Sequence, residues 1–393
     1  LKKNCWHGIP RKANRAASVI EPPIPPPATQ LFRNGIVHPD LFLWDSWCCE
    51  ADSGIDLYCL ALARKDSNGQ PISPSDRNSY LFHIRHFHSA DGGDQWLDKG
   101  CFQKPGIASD AHDARNIWSG GVLNLGADGK LHAYTGIGQG DENHPFIQSL
   151  AIGYCGHEDT LTHGNVILCP LRDREKILKA GYYLPDQDSM GSKEGEEGGP
   201  ILAWRDPFLF YDIDGTLMMA WAAKVSPDRG AVGLASLAVD EKHHCTVETL
   251  FPPVTMPDDN EYTQLEVPKV IFNSGTGKYI LCVSTTNRQS ESQPQSDITM
   301  VMRLYVSDAL KSGWSSGATT SSIIQGTNHQ FGMSIIRAEH ENKILHCMAP
   351  YAEGAGATRQ LTFPRGFYID LSRLTIDDEV TAFEKRTGPK TEA

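Results

Sequence analysis

Residues 207–223, Pro-Phe-Leu-Phe-Tyr-Asp-Ile-Asp-Gly-Thr-Leu-Met-Met-Ala-Trp-Ala-Ala, decide the fold class. Two aromatic and aliphatic runs of strand length flank Asp212-Ile213-Asp214-Gly215, whose Asp and Gly tolerate the left-handed conformations of a tight hairpin. The stretch reads as strand, turn, strand. The same pattern recurs outward in both directions, at residues 80–87, 121–136, 268–286 and 342–351, with Ala127-Asp128-Gly129-Lys130 and Ser274-Gly275-Thr276-Gly277 as further hairpin turns.

No window keeps an i, i+3, i+4, i+7 apolar stripe through four turns between caps, so the chain reads as all-β. Hairpin units begin near residues 40, 115, 200, 262 and 325. That spacing suits a radial array of four-stranded sheets, a five-bladed β-propeller with a central axial active-site pocket, better than a sandwich, which is normally shorter. A two-domain β arrangement is the alternative. Residues 1–30, basic and then proline-rich, read as an extended arm, and 31–393 as one propeller domain.

With 393 residues, 40% hydrophobic and 21% charged, the chain can bury a sizeable core, which excludes general disorder. Its formal net charge of -12 and its lack of a Lys/Arg-rich run argue against nucleic acid and anionic membranes as partners and favour neutral or cationic ones. The apolar stretches, such as Leu217–Ala223, are too short to span a bilayer. The ten cysteines show no CxxC spacing and read mainly as free core thiols, with disulfides the alternative. The chain begins with Leu rather than Met, which leaves room for an upstream signal peptide. The expected location is extracellular or periplasmic, and the scattered cysteines make cytoplasmic the alternative.

Three apolar-flanked carboxylates stand at strand starts in different units: Asp45 in Leu41–Trp47, Asp206 in Trp204–Phe210 and Glu266 in Gln264–Phe272. Singly, each has a structural reading, as a turn former, an ion-pair partner of Arg205 or a solvent-facing side chain. As a set, with tryptophans beside two of them, they suit glycoside cleavage. One carboxylate attacks the anomeric carbon, a second group protonates the leaving oxygen, and a third steadies the oxocarbenium-like transition state. Indole faces suit the C–H faces of sugars.

The segments LWDSW, WRDPFLF and QLEVPKV, in that order, resemble the three catalytic motifs of glycoside hydrolase family 68, the levansucrases, inulosucrases and β-fructofuranosidases, which share a clan with the invertases of family 32. Ile117–Gly121, Gly230–Ala235 and Leu304–Leu310 resemble further segments of that family, so the likeness covers about residues 31 to 375. The resemblance implies a five-bladed propeller with a deep acidic axial pocket, Asp45 as nucleophile, Asp206 as transition-state stabiliser and Glu266 as general acid/base. It also implies that Trp44, Trp118 and Ser119 line the fructosyl subsite, that Arg205 orients the fructosyl unit, that Gln264 faces the glucosyl side and that Arg288 serves the outer subsite.

The chain departs from the family in three places. Val267 stands where arginine is usual, Cys48-Cys49 replaces a proline-containing turn and is expected to reshape the pocket rim, and the acidic, glycine-rich stretch 191–199 is expected to be a flexible rim loop. Weaker constellations have ordinary readings. His83, His86 and His88 read as surface or core histidines, with no acidic ligand evident for a metal. Ser274–Lys278 lacks phosphate-loop spacing, and Asp258–Glu261 reads as a solvated loop rather than a calcium site.

The sequence therefore points to a retaining fructosyl-transferring glycosidase acting on sucrose or a related β-fructofuranoside, without cofactor or metal, by hydrolysis or transfer. An inverting arabinosidase or xylosidase of the family 43 type and a non-catalytic sugar-binding propeller are the alternatives.

Overall fold

The computed structural model describes residues 19–106, 112–138, 143–156, 161–192, 196, 201–290, 292–316, 321–324, 326–327, 329–339, 344–354 and 356–371. Six antiparallel sheets make up the five blades of a propeller. Blade 1 holds β1 (Phe32–Arg33), β2 (Leu41–Ala51), β3 (Gly54–Ala63), β4 (His83–Ser89) and β5 (Gln95–Gln103), in spatial order β1-β5-β4-β3-β2. Blade 2 is β6 (Asn116–Asn124), β7 (Lys130–Gly138), β8 (Ile147–Cys155) and β9 (Leu161–Leu168). Blade 3 is β10 (Arg205–Tyr211), β11 (Leu217–Ser226), β12 (Arg229–Val239) and β13 (Cys245–Leu250). Blade 4 is β14 (Gln264–Asn273), β15 (Lys278–Thr286) and β16 (Met300–Ser307). Blade 5 follows with β17 (Ser334–Glu339) and β18 (Ile344–Met348), then the hairpin β19 (Tyr351–Glu353) and β20 (Gln360–Thr362), and finally β21 (Phe367–Asp370), which pairs with β18. The one α-helix among the described residues is the short Arg174–Lys179, and no helix there is long and apolar enough to cross a membrane.

The near-continuous apolar run of β11 has a direct cause. Alternate side chains of a strand point to opposite faces, and a blade is covered on both. Leu217, Met219, Trp221 and Ala223 enter the core between blades 2 and 3, whereas Met218 and Ala220 enter the core between blades 3 and 4. Three further cores fill the interfaces of blades 1 with 2, 4 with 5 and 5 with 1, so each of the five interfaces has its own. The ring closes where Ile36 and Phe363 exchange backbone hydrogen bonds of 2.7 and 3.0 Å, joining the start of the propeller to its last blade. Ser46 and Ser334 share a hydroxyl hydrogen bond of 2.8 Å across the same seam.

The described part of the arm, residues 19–30, is extended and seated on blade 1. Buried Arg85 makes a two-point contact with Asp98 and donates to the carbonyls of Pro25 and Pro26 at 2.8 and 2.9 Å. Prolines have no N–H, so their carbonyls are the polar groups such a segment offers. The three expected turns close the β6–β7, β10–β11 and β14–β15 hairpins, with Gly129, Gly215 and Gly277 at φ of 87, 84 and 68°.

Two expectations are corrected here. Cys48-Cys49, expected to reshape the pocket rim, lies within a strand and lines no part of the cavity. Strand β2 runs through both residues, paired with Leu57 and Asp56 of β3, and the Cys48 thiol donates to the Ile335 carbonyl of blade 5. Asp258–Glu261 is not simply solvated. Arg303 bonds Asp258 at 2.6 Å and Glu261 at 2.8 Å, Tyr305 and Ser322 add bonds to Asp258, and Arg229 pairs with Asp259.

The histidine run has an acidic neighbour that its own strand does not show. Asp56, on the facing strand β3, accepts from His86 at 2.9 Å, His88 at 2.8 Å and Lys130 at 2.6 Å. His83 is buried, and its pKa is pushed down to about 3 by desolvation and then by Arg85. The cysteines among the described residues are free thiols.

Candidate active site

Neighbouring innermost strands pack side by side around the ring, β2 on β6, β6 on β10, β10 on β14, β14 on β17 and β17 on β2. Each carries one extra residue relative to its partner at the same level: the register slips between Leu43 and Ser46, Trp118 and Gly120, Arg205 and Phe208, Glu266 and Lys269, and Ile335 and Arg337. A bulge turns a side chain out of the sheet's alternation. Here the bulges hold Trp44, Asp45, Ser119 and Asp206, and Glu266 stands at the edge of one.

The bulges of β10 and β14 are built alike. Arg205-Asp206-Pro207 and Glu266-Val267-Pro268 occupy equivalent places, with Asp206 at φ 61° and Val267 at φ 51°. A proline inside a sheet is tolerated at a bulge because no N–H is required there. Equivalent residues of the two strands bond to each other: Arg205 donates to Glu266 from Nε at 3.1 Å and also from its terminal nitrogen, and the Val267 N–H donates to Asp206 Oδ2 at 3.0 Å. Positive φ at a β-branched residue is strained, and these contacts hold it.

Strands β2, β6, β10 and β14 meet at a cavity of about 310 Å³ lined by Trp44, Asp45, Trp118, Ser119, Arg205, Asp206, Glu266 and Val267. Arg77, Ser284, Arg288, His329–Gly332 and Arg359 complete much of the remaining wall. Asp45, Asp206 and Glu266, far apart in the chain, thus share one cavity. Of the nine candidate residues, Gln264 is not on the lining. It is fully buried, accepting from Arg205 at 2.5 Å and donating to the Arg288 carbonyl at 2.8 Å, so both ends of its amide are used to hold arginines. The cavity is also less acidic than the resemblance implies, since four arginines share it with three carboxylates.

Ser119 donates to Asp45 Oδ2 at 2.6 Å. Burial nevertheless dominates and raises the Asp45 carboxyl, and the Glu266 charge adds to the rise against Ser119, Lys269 and Arg205. Asp206 is 2% exposed and raised chiefly by burial, against the lowering effect of Arg205 and with the help of Asp45 and Glu266. Arg205 is held more strongly protonated than an ordinary arginine by Glu266, Asp206 and Glu196, despite burial. Its Nη1 lies 3.7 Å from Glu196, and its guanidinium stands 5.7 Å over the Trp118 ring.

Glu196 belongs to the stretch expected as a rim loop. It is buried and turned towards Arg205, and residues 193–195 and 197–199 lie outside the described residues.

Several residues around the site have no role assigned by the motifs. Thr135 accepts from the Asp206 N–H at 2.9 Å and donates to the Ser119 carbonyl at 3.1 Å, tying two bulges together. Gly332, at φ 56°, donates to Ser284 at 2.7 Å, and a Cβ there would run into Asp45 Oδ1. Lys269 is 2% exposed, and its ammonium lies 5.2 Å over the Phe208 ring and finds no hydrogen-bond acceptor among the described residues. Desolvation lowers its pKa to about 8 against the pull of Asp206 and Asp45. Lys269 stands in the QLEVPKV segment, and the likeness of that segment assigns it no role.

No protein-family model and no curated protein sequence matches the chain. Solved structures do match. A Bacillus subtilis levansucrase variant in complex with oligosaccharides aligns with a TM-score of 0.57 and 14% identity, covering 86% of each chain. An inulosucrase from Halalkalicoccus jeotgali bound to kestose gives 0.54 and 18%, covering 86% of this chain and 82% of that one. A Bacillus megaterium levansucrase variant gives 0.55 and 14%, covering 84% and 83%. The class these likenesses define is one of fold, the five-bladed propeller. The matches named here are levansucrases and an inulosucrase, the group that the three sequence motifs resemble.

Proposed function

We propose that the chain is a retaining fructosyl-transferring glycosidase acting on sucrose or a related β-fructofuranoside. The observation that carries this reading is the convergence of Asp45, Asp206 and Glu266, from three different blades, on one cavity that also presents Trp44 and Trp118. The fold it shares with levansucrases supports it.

In this reading a carboxylate oxygen of Asp45 attacks the anomeric carbon of the fructosyl unit. The bond to the glucosyl oxygen breaks as Glu266 delivers a proton to that oxygen, leaving a fructosyl ester on Asp45. Water or a sugar hydroxyl then attacks the same carbon and gives its proton to Glu266, and the ester bond breaks. Asp206 faces the positive charge that develops on the ring. Arg205 holds the Glu266 carboxyl in place. Hydrolysis and transfer differ only in the acceptor of the second step.

Incubation with sucrose, following glucose and fructose separately, tests the reading. Equal release indicates hydrolysis, excess glucose indicates transfer, and release of neither removes the substrate assignment. Asp45→Ala is expected to abolish turnover with the folded state intact, and retained turnover would refute the nucleophile assignment. NMR of the first-formed fructose anomer separates retention from inversion.

A further inference from the structure

Lys269 belongs to the pair of matched bulges. Where Arg205-Asp206-Pro207 is repeated by Glu266-Val267-Pro268, Phe208 and Lys269 are counterparts. Each is the first residue to rejoin its sheet after the bulge, Phe208 opposite Ala220 and Lys269 opposite Cys282. Blade 3 fills this place with a ring and blade 4 with an ammonium, which lies 5.2 Å over that ring. Packing alone therefore does not call for a charge here. Burying one without a hydrogen-bonded partner is costly, yet Lys269 is 2% exposed and its Nζ finds no acceptor among the described residues.

The charges around the ammonium supply a use for it. The groups that act on it are Asp206 of β10, Asp45 and Cys48 of β2 and Cys282 of β15. Burial pushes both thiols up to about 12, so they stay neutral and leave the two carboxylates as its counter-charges. In the retaining reading Asp45 and Asp206 must be ionised together, in a site where burial and neighbouring anions oppose it. The other buried cation that acts on both, Arg205, has its hydrogen bonds committed to Glu266 and Gln264. A lysine bonded to Asp45 would occupy an oxygen that has to attack. Held off that oxygen, the same charge still favours the anion, because Coulomb attraction falls only as the inverse of distance in a poorly screened interior.

We propose that Lys269 is a positioning residue for the fructosyl-transfer reaction: its buried charge, acting through space rather than by a hydrogen bond, keeps Asp45 and Asp206 ionised together and occupies none of their oxygens. The inference rests on the glycosidase reading for the use of the ionised pair, but the charge effect itself is measurable without turnover.

Carbon-13 NMR titration of the intact chain, labelled at its aspartate carboxyls, tests it, with the two signals assigned by their loss in Asp45→Asn and Asp206→Asn. Lys269→Met keeps an unbranched side chain and removes its charge. The carboxylate pair is expected to titrate about one pH unit higher in that variant than in the parent. In turnover, kcat/KM for sucrose is expected to fall at least about tenfold at pH 5 and less than about threefold at pH 8. Should Lys269→Met not fold, Lys269→Gln carries the same comparison. A pair that titrates unchanged overturns the proposal, and so does a loss of turnover that is uniform across pH, which is what lost packing alone gives. A shifted titration in a chain that cleaves no β-fructofuranoside supports the charge effect and defeats the glycosidase reading. Cleavage of sucrose with an unshifted pair does the reverse.

Discussion

The nucleophile role proposed for Asp45 depends on a balance of opposed effects. It must be ionised to attack, yet burial and the Glu266 charge lift its pKa to about 6, and the Ser119 hydroxyl is the largest influence pulling it back. Ser119→Ala removes that hydrogen bond. The acid limb of the pH profile of kcat/KM is expected to move to higher pH, with activity at pH 6 falling more than activity at pH 8. A uniform loss across the profile would show that Ser119 acts only by placing the carboxylate. Gly332 acts on the same carboxylate by taking up no room. Gly332→Ala places a methyl group against Oδ1 at a backbone angle that costs about 1 kcal/mol for a residue with a Cβ. Turnover is expected to fall by roughly two orders of magnitude while the melting temperature changes by only a few degrees, since the displaced group is the proposed nucleophile rather than part of the core.

At the scale of the strand, the bulge is the repeated device. A regular strand would alternate its side chains between the two interblade cores, and each extra residue interrupts that alternation where the inner strands meet. Pro207 and Pro268 are legible in the sequence as bulge markers, because a proline in an otherwise central strand has few other places to be. The bulges holding Asp45 and Ser119 contain no proline and left no such mark. Close passage between blades is set by glycine: a Cβ on Gly121 of β6 would come within 2.7 Å of the Pro207 carbonyl of β10. Gly121→Val is expected to push these strands apart, costing about 1–3 kcal/mol in denaturant unfolding and separating Ser119 from Asp206, with a loss of turnover larger than the stability loss alone accounts for. Unchanged stability would mean that the strands yield without strain.

Across the whole molecule, the site trades stability for its chemistry. The folded state holds the Asp206 proton more tightly than the unfolded chain does, with a pKa of about 7 against the ordinary 3.8. Ionising it therefore costs folding free energy, an effect absent below about pH 4 that grows as the pH rises from there to about 7 and is constant above. Asp206→Asn is expected to be more stable than the parent at pH 8, by on the order of 2 kcal/mol, and no more stable at pH 3.5. Equal stability at both pH values would contradict the buried-carboxylate account. Charge likewise depends on scale. The net charge of -12 argued for neutral or cationic partners, whereas the cavity gathers Arg77, Arg205, Arg288 and Arg359, which a chain-wide sum cannot register.

The sequence by itself determined the all-β class, the number of blades and the three carboxylates, because apolar runs, turn residues and flanking motifs are local in the chain and each can be read where it stands. Closure of the ring through Ile36 and Phe363, the bonding of Asp56 to His86 and His88, the withdrawal of Gln264 from the cavity wall and the meeting of Arg77 with Arg359 were decided only by the tertiary structure. Each joins residues from different strands or connections, and in most cases different blades. Which groups meet across such a separation depends on the register and bulge of every strand between them, and no stretch of sequence carries that sum.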